Sequence, residues 1–472
     1  MSLAKGAQQV FITSKTPFMM YPINKQNAYS YFRNSPEINF EFANNLQRTI
    51  KSNSLRLVGK KRITMQNGNV NLPANRVDVI SNDINDVIED HETIVYINER
   101  IGTNSFLANV SVGTTDGGLY EQCRYYNRVM ANTMPMHNSY QDLCSAGGFV
   151  YTCFPNNDHM NRQCSSDIEF SLQLTCGYLQ TGEQITLDRG LTIKIDLAPD
   201  AQVLLGASAS EFYYELYDLA LVGDYLNLSA PMKSNGARYV SYQSFSNVIN
   251  SNNTHQNVPM ALSQVSTIFQ SYIPSSWTNN PAYDAFSLCK MMNESTDAED
   301  HGYSVKNGIA IITFNKGNIR YPLTYEVDER IMNAQSAFQT VRSREFLNAV
   351  QPYFSNQNTL IAPETEVVPG MVSPRTNWLK TPQYADGGLL QRWTKQNGEF
   401  KRNGNIESSK YIYGFGAKQD RLNVGADANY ANSTFNYSLQ SDLDNTSTQV
   451  YVFAVGTTVV QASASGQVMS MN

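Results

Sequence analysis

Hydrophobic and polar positions alternate with a period of two along much of this chain, most cleanly between residues 168 and 228. Ile168-Glu-Phe-Ser-Leu-Gln-Leu-Thr175 puts Ile168, Phe170, Leu172 and Leu174 on one face of a half-buried strand. Leu191-Thr-Ile-Lys-Ile-Asp-Leu197 repeats the pattern, with Leu191, Ile193, Ile195 and Leu197 inward and Thr192, Lys194 and Asp196 outward. Gly177 and Gly182 mark the turn between these strands, and Val203-Leu-Leu205 adds a short apolar run. Tyr213-Tyr-Glu-Leu-Tyr-Asp-Leu-Ala-Leu-Val222 is rich in residues that favour a pleated surface. Strands spaced so closely predict antiparallel sheets that close into a sandwich or barrel.

The same pattern recurs on both sides. Ile38 to Phe42, Leu55 to Val58, Ile63 to Met65 and Ile94 to Ile97 read as strands upstream. Downstream, strands are expected at Val265 to Ile273, Gly308 to Phe314, Ile319 to Val327, Tyr411 to Phe415, Thr434 to Leu439 and Gln449 to Gln461. Two stretches switch to a helical period. Leu119, Cys123, Tyr126 and Met130 predict a short helix over 118–130, and Ile331, Ala334, Phe338, Val341, Phe346, Leu347 and Val350 predict a longer one over 331–354.

A chain of 472 residues exceeds what one hydrophobic core usually holds, so two β-rich domains are expected. Residues 1–36 read as an N-terminal arm, because Pro17, Pro22 and Pro36 interrupt it while Phe11, Phe18, Met19, Met20, Tyr21, Tyr29, Tyr31 and Phe32 supply apolar anchors. Such an arm is expected to dock outside its own subunit, so that deleting it leaves the fold intact. The first domain spans 37–230 and the second 262–466, with a six-residue tail at 467–472. The Asn-, Ser- and Gln-rich stretch 231–261 reads as the linker between them.

Composition sharpens this picture. The 28 Tyr and 21 Phe fit a β-rich protein with a large ordered interior, while only 16% charged residues beside many Asn, Ser, Thr and Gln leave a polar surface much of which is expected to meet another subunit. A net charge of −6 argues against binding nucleic acid through bulk phosphate neutralisation. Lys51, Arg56, Lys60, Lys61 and Arg62 form the one dense basic cluster, read either as a solvated strand face or as a contact for an acidic partner. The start of the chain lacks the apolar core of a secretory signal, which points to folding in a reducing cytosol. The six cysteines, none in a C-x-x-C pair, fit free structural thiols better than a metal site from Cys153, His159 and Cys164.

Catalytic patterns are incomplete. Gly206-Ala-Ser-Ala-Ser210 lacks the closing Gly of a nucleophile elbow, Gly414-Phe-Gly416 the third Gly of a dinucleotide fingerprint, and Gly59-Lys-Lys61 the frame of a phosphate loop. His91-Glu92 has no second His at helical spacing. The sequence therefore predicts no enzyme and no catalytic, cofactor-binding or metal site. Two other classes remain as alternatives: a receptor- or carbohydrate-binding β-protein such as a spike or lectin, with Trp277, Trp378 and Trp393 as stacking platforms, and a jelly-roll hydrolase.

Several segments, in order, resemble the major capsid proteins of small double-stranded DNA viruses of the polinton-like and virophage kind. Gly190 to Asp200 with Val203-Leu-Leu-Gly206 is similar to the late part of that family's first jelly roll, and Tyr214 to Val222 to its closing strand. Gly317-Asn-Ile-Arg-Tyr-Pro322 resembles the segment before the helical insertion of the second. Val450 to Val460, followed by Ala462 to Gly466, resembles the final strand and its small-residue tail. The resemblance implies an all-β fold of two tandem eight-stranded jelly rolls, a double jelly roll, with loop and short helical insertions. It also implies a homotrimeric, pseudo-hexameric capsomer that tiles an icosahedral virion capsid and is assembled in the host cytoplasm or nucleus. Its partners would be neighbouring capsomers, penton and minor capsid proteins, and an internal membrane or the genome beneath the shell. No cofactor or small-molecule substrate is implied.

Overall fold

The computed structural model describes residues 10–66, 96–97, 101–137, 168–180, 184–205, 209–234 and 236–249, and beyond them 253–258, 265–275, 278–280, 285–286, 293–294, 303–304, 309–316, 319–321, 393–396, 399–402, 413–416, 435–441, 448–462 and 468–471. The first half contains β1 (Ile12–Met20), β2 (Ala28–Tyr29), β3 (Glu37–Phe42), β4 (Asn45–Lys51), β5 (Arg56–Met65), β6 (Tyr96–Ile97), β7 (Leu107–Gly113), β8 (Leu119–Arg124), β9 (Ile168–Gln173), β10 (Gln184–Leu187), β11 (Leu191–Leu197), β12 (Leu204–Leu205) and β13 (Phe212–Leu228). One helix, α1 (Tyr126–His137), follows β8. The second half contains β14 (Ala237–Ile249), β15 (Asn253–Val258), β16 (Val265–Pro274), β17 (Asn293–Glu294), β18 (Tyr303–Ser304), β19 (Ile309–Lys316), β20 (Ile319–Tyr321), β21 (Trp393–Gln396), β22 (Glu399–Arg402), β23 (Tyr413–Gly416), β24 (Phe435–Ser441), β25 (Thr448–Ala462) and β26 (Val468–Met471). No described helix is long and apolar enough to cross a membrane.

Each half is built around two main sheets, and the two halves share one topology. In the first, β1-β13-β5-β9 hydrogen-bond in that order, with β4 and β10 as an extension, and β3-β11-β7-β8 form the opposing sheet. In the second, the orders are β14-β25-β16-β23 and β15-β24-β19-β20. Numbering the eight principal strands of each half along the chain gives 1-8-3-6 and 2-7-4-5 both times. That is a jelly roll, written twice. The double jelly roll expected from the resemblance is the fold of this chain.

The first core forms where the alternating faces meet. β11 alternates as its sequence demands, and its Ile193 lies between Phe40 of β3 and Val112 of β7. Ile38, Phe42, Leu57, Phe170, Leu172, Tyr214 and Leu216 complete the interior. Each large side chain so covered contributes about 1.5–3 kcal/mol. Tyr214 stacks on Phe106 with ring centroids 4.6 Å apart and donates its hydroxyl hydrogen to the Ala198 carbonyl.

Four expectations change. Residues 12–20 are not a free arm but the first strand of the jelly roll, because Pro17 sits on an edge strand whose only described partner is β13, where a missing N–H is tolerated. Most of the stretch read as a linker is strand: β14 pairs with β25 along its whole length, and β15 follows it, so that residues 229–236 connect the halves. The polar residues of β14 are matched across the sheet, as where Ser241 and Thr458 hydroxyls lie 2.6 Å apart. The helix expected over 118–130 divides into β8 and α1, because Tyr125 adopts a left-handed backbone (φ 54) between them. The tail also differs, since Val468–Met471 pairs with β25. The helix expected over 331–354 lies outside the described residues.

The two halves meet in a tyrosine-rich seam. Tyr239 and Tyr242 of β14 donate to the carbonyls of Tyr120 and Arg124, the latter at 3.1 Å. Tyr178 stacks on Tyr120 at 4.1 Å and meets Tyr239 edge-on at 5.4 Å. Arg128 of α1 lies over the rings of Tyr451 and Phe286, at 4.5 and 5.4 Å. Burial beneath this seam pushes the Glu121 carboxyl up to about 7.

One carboxyl couples the fold to pH. Asp200 opens a single helical turn (Asp200–Val203), its Oδ1 accepts the Tyr214 N–H at 2.9 Å, and burial pushes its carboxyl up to about 6. The native state therefore keeps a proton that the unfolded chain releases near pH 4. This contribution favours the fold below about pH 4 and is lost as the pH rises through about 6. In urea titrations at pH 4.5 and pH 7, Asp200→Asn should remove up to about 2 kcal/mol of the pH dependence. An unchanged dependence would contradict this role.

Candidate assembly surface

The first strand positions a concentrated apolar surface. β1 lies antiparallel to β13, with Pro17 opposite Asp224 and Phe18 opposite Gly223. Phe18 is half-buried, 5.4 Å from Phe42 and 4.3 Å from Tyr225. Gly223 makes this approach possible, since a Cβ there would stand 2.9 Å from the Phe18 ring. Lys15 caps the edge with an ion pair to Asp224 at 3.0 Å. The neighbouring side chains face solvent: Phe11 is 63% exposed, Met19 59% and Tyr21 64%. Of the twelve exposed large hydrophobic residues described, eight lie between Val10 and Phe32, so exposure of this kind is concentrated in one segment of the chain.

The loop after β1 is held to the sheet by a buried charge cluster. Glu215 of β13 is fully buried and lies between Arg33 Nε at 2.8 Å and Arg62 Nε at 2.5 Å. Arg33 also donates to the Tyr213 hydroxyl at 2.6 Å, and Phe32 stacks on the Tyr213 ring at 4.6 Å. Removing the shared carboxylate deprives the partly buried Arg62 and the half-exposed Arg33 of their common ion-pair partner. We expect Glu215→Ala to lower stability by about 3 kcal/mol, read from the urea midpoint. A change within about 0.5 kcal/mol would show that the cluster is not structural.

The basic cluster singled out in the sequence lies largely on one continuous strand, β5, rather than in a turn between two. Arg56 donates to Ser171 at 2.7 Å, Lys60 pairs with Asp218 at 3.3 Å, Lys61 is buried and reaches Thr103 at 3.3 Å, and Arg62 serves Glu215. Lys51 is exposed on β4. Four of the five cations therefore have partners within the chain, which favours the strand-face reading. Gly59 belongs to a β-bulge, not a phosphate loop. Register shifts between Tyr217 and Ala220, Asp218 takes φ 50, and a Cβ at Gly59 would meet Leu219 Cδ2 at 2.5 Å.

Other singled-out residues carry no assembled chemistry. Ser210 sits in a 3-10 turn (Ala209–Glu211) that leads directly into β13, and Gly414 to Gly416 lie within β23. Trp393 opens β21 in a two-stranded hairpin with β22. Cys153, His159, Cys164, His91, Glu92, Trp277 and Trp378 lie outside the described residues. What sequence reasoning missed is the set Glu121, Cys123 and Cys176, brought together from β8 and the segment after β9. The i, i+2 spacing of Glu121 and Cys123 on a strand was the available signal, obscured by the helical reading of that stretch.

No protein-family model and no curated protein sequence matches this chain. Solved structures do match its fold over its full length. The crystal structure of PBCV-1 VP54, fitted into a cryo-EM reconstruction of the virophage Sputnik, aligns with 100% of this chain and 99% of its own at a TM-score of 0.50 and 10% identity. A chain of the quasi-atomic model of the PBCV-1 virus capsid aligns over the same shares at a TM-score of 0.51 and 9% identity. The crystal structure of the mavirus major capsid protein aligns with 99% of this chain and 92% of its own, at a TM-score of 0.49 and 9% identity. At such identities the likeness is one of fold: this chain is folded as double jelly-roll capsid proteins are.

Proposed function

We propose that this chain is a major capsid protein of a double-stranded DNA virus, of the virophage or polinton-like kind, and that it acts by self-assembly. The observation that carries the reading is the repeated 1-8-3-6 and 2-7-4-5 strand order in one chain, matched along its whole length by capsid folds. Two jelly rolls side by side give each subunit two of six similar corners. Three copies then make a trimer of hexagonal outline that tiles an icosahedral shell. The exposed Phe11, Met19 and Tyr21 along the edge strand support the reading, because apolar side chains left facing solvent there are suited to burial against a neighbour. Neighbouring capsomers are its first partners, with penton and minor capsid proteins and the membrane or genome beneath the shell as further ones. The protein resides in the virion and is assembled in the host cell cytoplasm or nucleus. It performs no catalysis.

Light scattering of the purified chain at neutral pH tests this. A trimer mass is expected, and the combined substitution Phe11→Ser, Met19→Ser and Tyr21→Ser should leave the melting temperature unchanged while abolishing assembly beyond the trimer. A stable monomer at micromolar concentration would contradict the reading.

A further inference from the structure

We propose that Glu121, Cys123 and Cys176 form a binding site for a thiophilic divalent cation, zinc above all, which fastens the first jelly roll beneath its contact with the second. β8 alternates so that Glu121 and Cys123 both face inward, and Cys176 reaches the same point from the segment between β9 and the 3-10 turn Tyr178–Gln180. One carboxylate oxygen and the two sulfurs lie within 4.8 Å of one another. Zinc bonds of about 2.3 Å to sulfur and 2.0–2.2 Å to oxygen span such a set with small adjustments.

Both cysteines are free, fully buried thiols. Glu121 Oε2 accepts the Tyr178 N–H at 2.8 Å, whereas its buried Oε1 has no hydrogen bond of ordinary geometry, with the Gly177 N–H and the weakly donating Cys123 thiol beside the carboxyl. A buried carboxylate oxygen served so weakly is costly, and a cation supplies what is missing. Two soft sulfurs with one oxygen are a zinc donor set, leaving a fourth tetrahedral position for a water molecule. A proton on the carboxyl would answer the charge as well, but it would not account for two thiols converging on that carboxylate from separate segments.

On binding, each thiol gives up its proton to solvent and each sulfur forms one bond to the metal, as does the carboxylate oxygen. The Glu121 and Cys123 groups lie close to Tyr239, and all three lie close to Tyr242, on the β14 side of the seam. The cation would therefore be taken up as the two halves close and would contribute to folding, independently of the capsid reading.

The test uses the full chain, produced with zinc and separately with Co2+ in the medium. Elemental analysis should find one metal per chain, and the cobalt form should show a sulfur-to-cobalt charge-transfer band in the near ultraviolet. Replacing Cys144, Cys153, Cys164 and Cys289 together by Ser should preserve both signals, whereas Cys123→Ser or Cys176→Ser should abolish them and Glu121→Gln should weaken retention against a chelator. If the single variants fail to fold, the four-serine chain decides alone, since its only thiols are the proposed pair. Absence of metal from that chain, metal that survives loss of Cys123 or Cys176, or a Cys123–Cys176 disulfide in the purified protein would overturn the proposal.

Discussion

A chain lacking residues 1–20 is expected not to fold its first half. β1 is the first of eight principal strands, and its removal leaves the Leu221 to Leu228 stretch of β13 without a partner along one edge. Eight register pairs disappear, together with the contacts of Phe18 against Phe42 and Tyr225. Ladder hydrogen bonds at about 0.5–1.5 kcal/mol each, with about 1 kcal/mol for the half-buried Phe18, approach the roughly 5–15 kcal/mol that stabilises a whole domain. The truncated protein should be insoluble or lack a cooperative unfolding transition. A soluble product with the parent's melting temperature would return residues 12–20 to the status of an arm.

The second large effect is expected at the seam. A Cβ at Gly177 would stand 1.7 Å from the Val240 carbonyl oxygen and 2.8 Å from its carbon, so one backbone would have to move. β14 cannot yield easily, because thirteen consecutive residues pair with β25. Gly177→Ala should therefore destabilise by about 3 kcal/mol, at the upper end of overpacking costs. That corresponds to a fall of roughly 6–12 °C in melting temperature for domains of this size. A shift under about 2 °C would mean that the two halves are not packed as described.

How legible the fold was depended on how far each strand obeyed one simple rule. β11 buries Leu191, Ile193, Ile195 and Leu197 and turns Lys194 outward, so two-residue alternation revealed it completely. β14 hid behind Ser, Gln and Asn, because its polar groups are matched by partners distant in sequence, such as Thr458 for Ser241. β1 was disguised by Pro17, whose breaking character does not apply on an edge strand. β7, with Ala108, Asn109 and Ser111 between its buried residues, gave too weak an apolar signal beside its Gly-rich surroundings.

The candidate surface was legible in its residues and not in its placement. Phe11, Met19 and Tyr21 do present apolar area to solvent, but from the edge of their own sheet. Tyr120, Tyr178, Tyr239 and Tyr242 close the seam between the two jelly rolls, a placement that no local pattern announces. The Glu215 cluster joins Arg33, Arg62 and Glu215 from three distant segments, which no local pattern announces.

Electron microscopy of the expressed full-length protein tests the central claim most directly. The account predicts trimers of hexagonal outline, each showing six similar jelly-roll lobes, that close into icosahedral shells under assembly conditions. Particles that stay monomeric at micromolar concentration, or that associate without threefold symmetry, would contradict it.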